Sequence, residues 1–445
     1  MLQVLANRTY RHLFLAQVIA LVGTGLATVA LGLLAYDLAG PNAGAVLGTA
    51  LAIKMIAYVG VAPVAGAFAD RFPRRVMLVG LDLVRAFVAV LLPFVTEIWQ
   101  VYVLIFVLQS ASAAFTPTFQ ATIPDVLPDE KEYTRALSLS RLAYDMESLV
   151  SPMLAAALLT VISFHNLFAG TVVGFLVSAL LVVSVVLPSP KAAEKRGIYD
   201  RTTRGMRIYL ATPRLRGLLA LTLAVSAAGS MVIVNTVVLV QARFGLSQEA
   251  TAVALGAFGA GSMAAALLLP SLLDKMPDRR AMLIGTGILA AGLFAGTALP
   301  GYAFLLPLWL ILGLGYSLAQ TPGGRLLRRS SQPEDRPALF AAQFALSHAS
   351  WLITYPLAGW LGSKIGLSTT FGVMGCIAIA AIVIATSLWP SHDPDELDHV
   401  HHGLAPDHPH LADANQIGSG YRHRHAFVID SHHPEWPYSL AGDSR

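Results

Sequence analysis

Runs of roughly twenty or more mostly apolar residues follow one another along this chain with only short polar breaks, and no other feature limits its fold so tightly. A helix that crosses the hydrocarbon core of a bilayer needs roughly 20 such residues. Lipid also offers no partner to backbone N–H and C=O groups, so only helices and closed barrels can span it. Twelve spans are predicted, at 12–37, 44–68, 76–96, 99–120, 136–161, 164–187, 214–241, 248–272, 281–299, 302–322, 337–362 and 366–389. Composition agrees: 55% of the 445 residues are hydrophobic and 13% charged, and the mean hydropathy is +0.63. A soluble domain cannot keep that much apolar surface from water. The expected fold class is an all-α polytopic membrane protein.

The charge is placed as a membrane protein requires. A pI near 9.2 would also suit a nucleic-acid binder, but the basic residues are dispersed through the loops. Residues 1–390 carry 27 Lys+Arg against 17 Asp+Glu, whereas residues 391–445 carry 3 against 9. Arg8 and Arg11, the loops that follow even-numbered spans, and the connections that lead into spans 5, 7 and 11 hold 22 basic residues; the opposite side has Arg243 and Lys364. The positive-inside rule therefore predicts an inner-membrane protein with both termini in the cytoplasm. The first apolar run is long and follows Arg8 and Arg11, so it is expected to stay as a span rather than be cleaved as a leader. Cys376 is the one cysteine, which rules out an intrachain disulfide or a thiolate metal cluster.

One fixed shift lays the two halves of the chain over each other. Gly66-Ala-Phe-Ala-Asp70-Arg71-Phe-Pro73-Arg74-Arg75 matches Pro270-Ser-Leu-Leu-Asp274-Lys275-Met-Pro277-Asp278-Arg279 at a shift of 204, and the same shift carries Pro152 onto Pro356 and Glu130 onto Glu334. The segment Gly66-x-x-x-Asp70-Arg71-x-x-Arg74-Arg75 resembles the signature loop of the major facilitator superfamily, with a degenerate copy at Asp274-Lys275. Pro73 stands where that family usually has glycine. The resemblance implies a major facilitator fold, twelve transmembrane helices in two pseudo-symmetric six-helix halves, with the substrate site near the midplane between them. Expected boundaries are 1–188 for the first half, 189–213 for a cytoplasmic central loop, 214–390 for the second half and 391–445 for a separate tail. By the same resemblance Gly66, Asp70, Arg71, Arg74, Arg75 and Asp274 form gating loops, in which Asp70 and the arginines clasp a neighbouring helix end in one conformation and release it in another. The plainer reading is that these arginines only enforce topology. Asn7-Arg8-x-x-Arg11 is similar to the branch that holds siderophore and drug exporters, which points to export.

Ionisable residues inside spans are costly and usually face a cavity or a partner. Lys54 lies in span 2, and Asp82 and Arg85 in span 3 read as a structural pair. Span 5 carries Arg141, Tyr144, Asp145, Glu147 and Ser148; span 11, its repeat counterpart, carries Gln343, Ser347 and His348. Arg141 and Asp145 are four apart and can neutralise one another. Glu147 has no partner in its own span. His348 reads either as a helix–helix hydrogen bonder or as a metal- or proton-binding group, and Lys54 either as a counter-charge to span 5 or as a substrate contact. Asp145, Glu147, His348, Arg141 and Lys54 are thus the candidates for transport and proton coupling. Gln109 and Asn235 are further polar candidates.

The tail holds 10 of the 13 histidines. They come as His399-Val-His401-His402, His408-Pro-His410, His423-Arg-His425 and His432-His433, with His392 before them and Asp393, Asp395, Glu396, Asp398 and Asp407 close by. Imidazole and carboxylate without thiolate suit Ni²⁺, Co²⁺, Zn²⁺ or Cu²⁺ and not Cu(I). The expectation is a disordered, loose, multi-site chelator, with the stretch around Phe427 and Trp436 able to dock or fold when metal binds. The plain alternative is a solvated tail. A His-rich tail on such a chain resembles the nickel-resistance exporters of bacteria, and that resemblance is what singles out nickel.

The expected function is a monomeric, non-enzymatic exporter of Ni²⁺, with Co²⁺ second, driven by proton antiport. Its partners would be the metal ion as substrate, protons and the lipid bilayer, with no cofactor and no nucleic acid. No Gly-x-x-x-x-Gly-Lys-Ser/Thr loop for ATP is found. The competitors are a drug or siderophore exporter with a metal-sensing tail, and a metal sensor or store anchored by helices. Duplicated halves and a gating loop are unneeded in an anchor.

Overall fold

The computed structural model describes residues 2–39, 43–68, 71–188, 197–394, 396–401, 408–411, 413–430, 432–433 and 435–437. Six helices form the first half: α1 (Arg8–Ala39), α2 (Ala43–Phe68), α3 (Arg74–Leu91), α4 (Ile98–Val126), α5 (Glu130–Leu159) and α6 (Phe164–Val183). A connecting helix, α7 (Ile198–Ala211), leads to α8 (Pro213–Val237), α9 (Gln248–Leu273), α10 (Asp278–Gly296), α11 (Tyr302–Gln320), α12 (Gly323–Arg329), α13 (Arg336–Lys364) and α14 (Leu367–Leu388). The shift of 204 found in the sequence carries α2, α3, α5 and α6 onto α9, α10, α13 and α14 to within about two residues at each end. Breaks occur where the code asks for them. Asp129 accepts a bond from the Glu132 N–H at the start of α5, and Ser247 one from Ala250 at the start of α9. Pro73 and Pro277 stand at the N-caps of α3 and α10.

Among the described residues nine helices are long and apolar enough to cross a membrane. The expected spans at 136–161, 281–299 and 337–362 fall on α5, α10 and α13, of 30, 19 and 29 residues. These three are the more polar because α5 and α13 line the contact between halves and α10 opens on Asp278-Arg279-Arg280. A helix shielded by its neighbours need not be apolar all round.

Each half packs its own core. Leu26, Ala30, Ile105 and Phe168 cluster in the first, and Met231, Leu289, Trp309 and Phe371 in the second. The halves meet along α2 with α13 and α5 with α9. At the crossing of α2 and α13, a Cβ on Gly66 would lie 2.7 Å from the Ala341 Cβ. The residue type at position 66 is therefore set by how closely two helix backbones approach. Within the stretch expected as the central loop, 189–213, lies α7, which packs across α2 and α13.

The tail departs from expectation. Where a disordered chelator was predicted, its described residues form an antiparallel sheet of β1 (Glu396–His401), β2 (Asn415–Ile417) and β3 (Gly420–Ala426) in the order β1-β3-β2. The physical reason is alternation. Leu397, His399 and His401 face one way and Glu396, Asp398 and Val400 the other, and β3 repeats the pattern with Tyr421, His423 and His425 against Arg422 and Arg424. Gly418, at φ 59°, makes the tight β2–β3 turn possible.

Candidate substrate path and tail metal site

The basic side holds the gate. Arg74 of α3 and Arg336 of α13 both reach Asp125 at the end of α4, so one carboxylate ties a guanidinium from each half. Arg325 pairs with Glu130 across the same seam, and the Tyr133 hydroxyl donates to the Gly324 carbonyl at 3.1 Å. Arg204 of α7 grips Asp335 with two bonds of 2.5 and 2.7 Å. These contacts close the molecule on its basic side. Of the expected gating residues, Gly66 and Arg74 belong to this closure. Arg71 lies over the Phe68 ring, while Arg75 and Asp274 are exposed. Asp70 lies outside the described residues. Asp125 was missed, although the repeat contains the signal: the shift carries Arg74 onto Asp278 and Asp125 onto Arg329, and Arg329 acts electrostatically on Asp278. The pair recurs with its charges exchanged.

Midway along the helices, Arg141 is the bridge between halves. Its Nε donates to Asp145 Oδ2 and to Ser262 of α9, each at 3.2 Å, its Nη1 to Gln320 of α11 at 3.4 Å, and its guanidinium lies 4.6 Å from the Tyr316 ring centroid. Asp145, buried at 4% exposure, is thus held by Arg141 and is not a bare carboxylate. The second cluster gathers Lys54, Glu147 and His348. Lys54 acts electrostatically on both of the others and stands 5.5 Å from the centroid of Tyr58. Tyr58 packs on Phe344 and His348 of the opposite half and donates to Gln109 at 2.8 Å. His348 donates its Nδ1–H to the Phe344 carbonyl at 2.7 Å, which leaves its Nε2 as a free acceptor. Among the described residues, Asp145, Glu147 and His348 do not form a three-ligand metal group. Asn235 donates to the Ala358 carbonyl at 3.2 Å and joins α8 to α13. Asp82 and Arg85 pair, with Ser178 donating to Asp82 at 2.8 Å.

The one metal-capable group of three or more among the described residues is in the tail. His399, His410, His423, His425 and His433 each offer a ligand atom within 4.8 Å of all the others. His408 and His432 flank this group with rings 5.1 Å apart, and His402 lies outside the described residues. Asp430, which sequence reasoning passed over, accepts from the backbone N–H groups of His432 and His433 at 2.8 Å and from His433 Nδ1 at 2.9 Å. Burial opposes charge on Asp430, yet these bonds win and hold its pKa down to about 2. Burial and the neighbouring imidazoles push His399, His401 and His410 down to about 4. The tail is moored to the helices. Phe427 and Ile429 enter the core formed by Tyr209, Leu215, Leu327 and Phe340, and Asp393 meets Arg214 at 3.0 Å and Arg329 at 3.4 Å.

The sequence profile of the Major Facilitator Superfamily matches residues 13–236 and again 218–409. The chain belongs to that superfamily. This transporter is similar to the uncharacterised MFS-type transporter YfiS of Bacillus subtilis, 24% identical over 330 residues, which covers 71% of this chain and 78% of that one. Macrolide efflux protein A of Enterococcus faecalis is 26% identical over 152 residues, 32% of this chain and 47% of its own. Among solved structures, the human organic anion transporter MFSD10 superposes with a TM-score of 0.75 at 12% identity, over 85% of this chain and 99% of that one. A bacterial homologue of the iron transporter ferroportin, in an outward-facing state, gives 0.70 at 14% identity over the same shares. At these identities the likeness is one of fold.

Proposed function

We propose that this transporter exports divalent transition-metal ions, Ni²⁺ first and Co²⁺ second, from the cytoplasm across the inner membrane by proton antiport, and so confers metal resistance. The observation that carries this reading is the convergence of tail imidazoles on one point, moored against the basic side where the halves close. The positive-inside rule puts that side in the cytoplasm, where a chelator can gather ions for export. Coupling is assigned to Glu147, His348 and Lys54, a base, an imidazole and a cation that straddle the seam; Arg141, neutralised by Asp145 on its own helix, supplies the contacts to Ser262 and Gln320 that open and close with it. Protons and metal compete for the same lone pairs, so an inward proton flux releases metal outside.

A second reading has its own support. The helices lack a three-ligand metal group among the described residues, and Tyr58, Phe344 and Tyr316 make the path aromatic. An organic-solute exporter with a metal-sensing tail fits these facts, and one relative is by name a macrolide efflux protein. The deciding experiment is retention of radioactive nickel by loaded cells with and without the protein. Faster loss that a protonophore abolishes supports proton-driven metal export. Unchanged loss, with the protein present in the membrane, favours the organic solute.

A further inference from the structure

Six tail imidazoles, not five, stand around a common point. To the set above His401 must be added: its Nε2 lies 3.2 Å from that of His399. The Nε2 atoms of His399 and His433 are 3.0 Å apart, those of His399 and His423 3.2 Å, and those of His410 and His433 3.3 Å. These contacts are not all hydrogen bonds. The Nδ1–H groups of His399, His425 and His433 donate to the Leu397 carbonyl at 3.1 Å, the Ala426 carbonyl at 2.8 Å and Asp430 at 2.9 Å. The Nε2 of each neutral ring is then a bare lone pair. That of His399 points at that of His433, and the buried Nε2 of His425 has no hydrogen-bond partner. Converging lone pairs repel one another unless a cation lies between them.

The arrangement has a definite shape. Each of the six rings has four of the other five as neighbours, at centroid distances of 4.7 to 5.1 Å. Among these six described residues the pairs that are not neighbours are His399 with His410, His401 with His425, and His423 with His433. Three disjoint non-neighbour pairs among six points are the three axes of an octahedron. With metal–nitrogen bonds of about 2.1 Å, adjacent octahedral ligands lie about 3.0 Å apart. A tetrahedral ion has room for four of these rings and would leave two of the six converging lone pairs unmatched.

We propose that the tail is a single octahedral hexa-imidazole site, built by His399, His401, His410, His423, His425 and His433, for a six-coordinate, imidazole-binding ion of the Ni²⁺ and Co²⁺ class. Zn²⁺ prefers four ligands, Mg²⁺ and Ca²⁺ prefer oxygen, and Cu²⁺ prefers a tetragonal field. Asp430 is a positioning residue that fixes the His433 tautomer. The inference rests on the metal reading of the tail given above, and it sets the tail's selectivity and its capacity of one ion.

The test uses full-length protein in detergent, stripped of metal. Titration with Ni²⁺ should give one tight ion per chain, retained against Zn²⁺. Co²⁺-loaded protein should show the weak d–d absorption of six-coordinate cobalt. His401→Ala and His425→Ala should each weaken Ni²⁺ binding about tenfold or more, and His392→Ala should leave it unchanged. Several equivalent ions, the intense absorption of four-coordinate cobalt, or full affinity in His401→Ala would overturn the proposal; the cobalt spectrum needs no variant to fold. Nickel flux into everted vesicles is scored separately. Six-coordinate binding without flux retires metal export and keeps this site, and flux with four-coordinate binding does the reverse.

Discussion

At the scale of single residues, the buried charges divide into one that is held and one cluster that can move. Arg141 and Asp145 satisfy each other and reach Ser262 and Gln320 of the opposite half. Removing one member of a buried pair strands the other, at a cost of about 3–5 kcal/mol. Arg141→Ala is therefore expected to lower the yield of folded protein more than Arg141→Ala combined with Asp145→Ala, as size-exclusion profiles of detergent extracts would register. Glu147 has Lys54 rather than a fork of donors around it. Glu147→Gln should abolish proton-driven flux in vesicles and leave nickel binding by the tail intact; normal flux would remove this residue from the coupling site. Sequence reading found every one of these side chains, because charge inside an apolar run is conspicuous. It also paired Arg141 with Asp145 by their spacing and left Glu147 without a partner in its own span; it could not supply the contacts to Ser262, Gln320 and Tyr58, which lie on other helices.

At the scale of elements, the gate depends on helix ends and the tail on strand alternation. Asp125 holds Arg74 and Arg336 together, so Asp125→Asn should loosen closure on the basic side. An Ala341→Cys reporter in a Cys376→Ser background is expected to react several-fold faster with a thiol reagent once Asp125 is neutralised. Equal rates would assign closure to the other seam contacts. In the tail, His399, His401 and His410 are held near 4, against about 6.5 for a free imidazole. Below about 6.5 the unfolded tail binds protons that the folded tail refuses, so its stability is complete above that pH and falls towards 4. The hydrogen-exchange protection factors of β1 and β3 should fall from pH 7 to pH 5 in metal-free protein, and Ni²⁺ should suppress the change. The strands were legible in His399-Val-His401 and His423-Arg-His425, whose alternate residues face one way. The histidine content drew attention to chelation and away from the period of two.

At the scale of the molecule, a duplicated bundle closes on its basic side and carries a folded cluster of histidines against that closure. Deleting residues 391–445 is expected to weaken nickel resistance at low metal while flux in reconstituted vesicles stays measurable. Complete loss of flux would make the tail part of the transport path. The deletion also uncovers the core around Tyr209, Leu215 and Phe340, so the truncated protein should melt several degrees lower.

The sequence alone determined the membrane class, the duplication and the family, because apolar run length, loop charge and a repeat at one shift are properties of the chain read in order. Its spaced histidines also raised the expectation of a tail suited to nitrogen-binding metals. Only the tertiary structure decided which charges are neutralised, that Asp125 ties Arg74 to Arg336, and that imidazoles from four separate tail segments share one centre. Those outcomes depend on distances of about 3 Å between groups far apart in the chain, and such distances are set by packing.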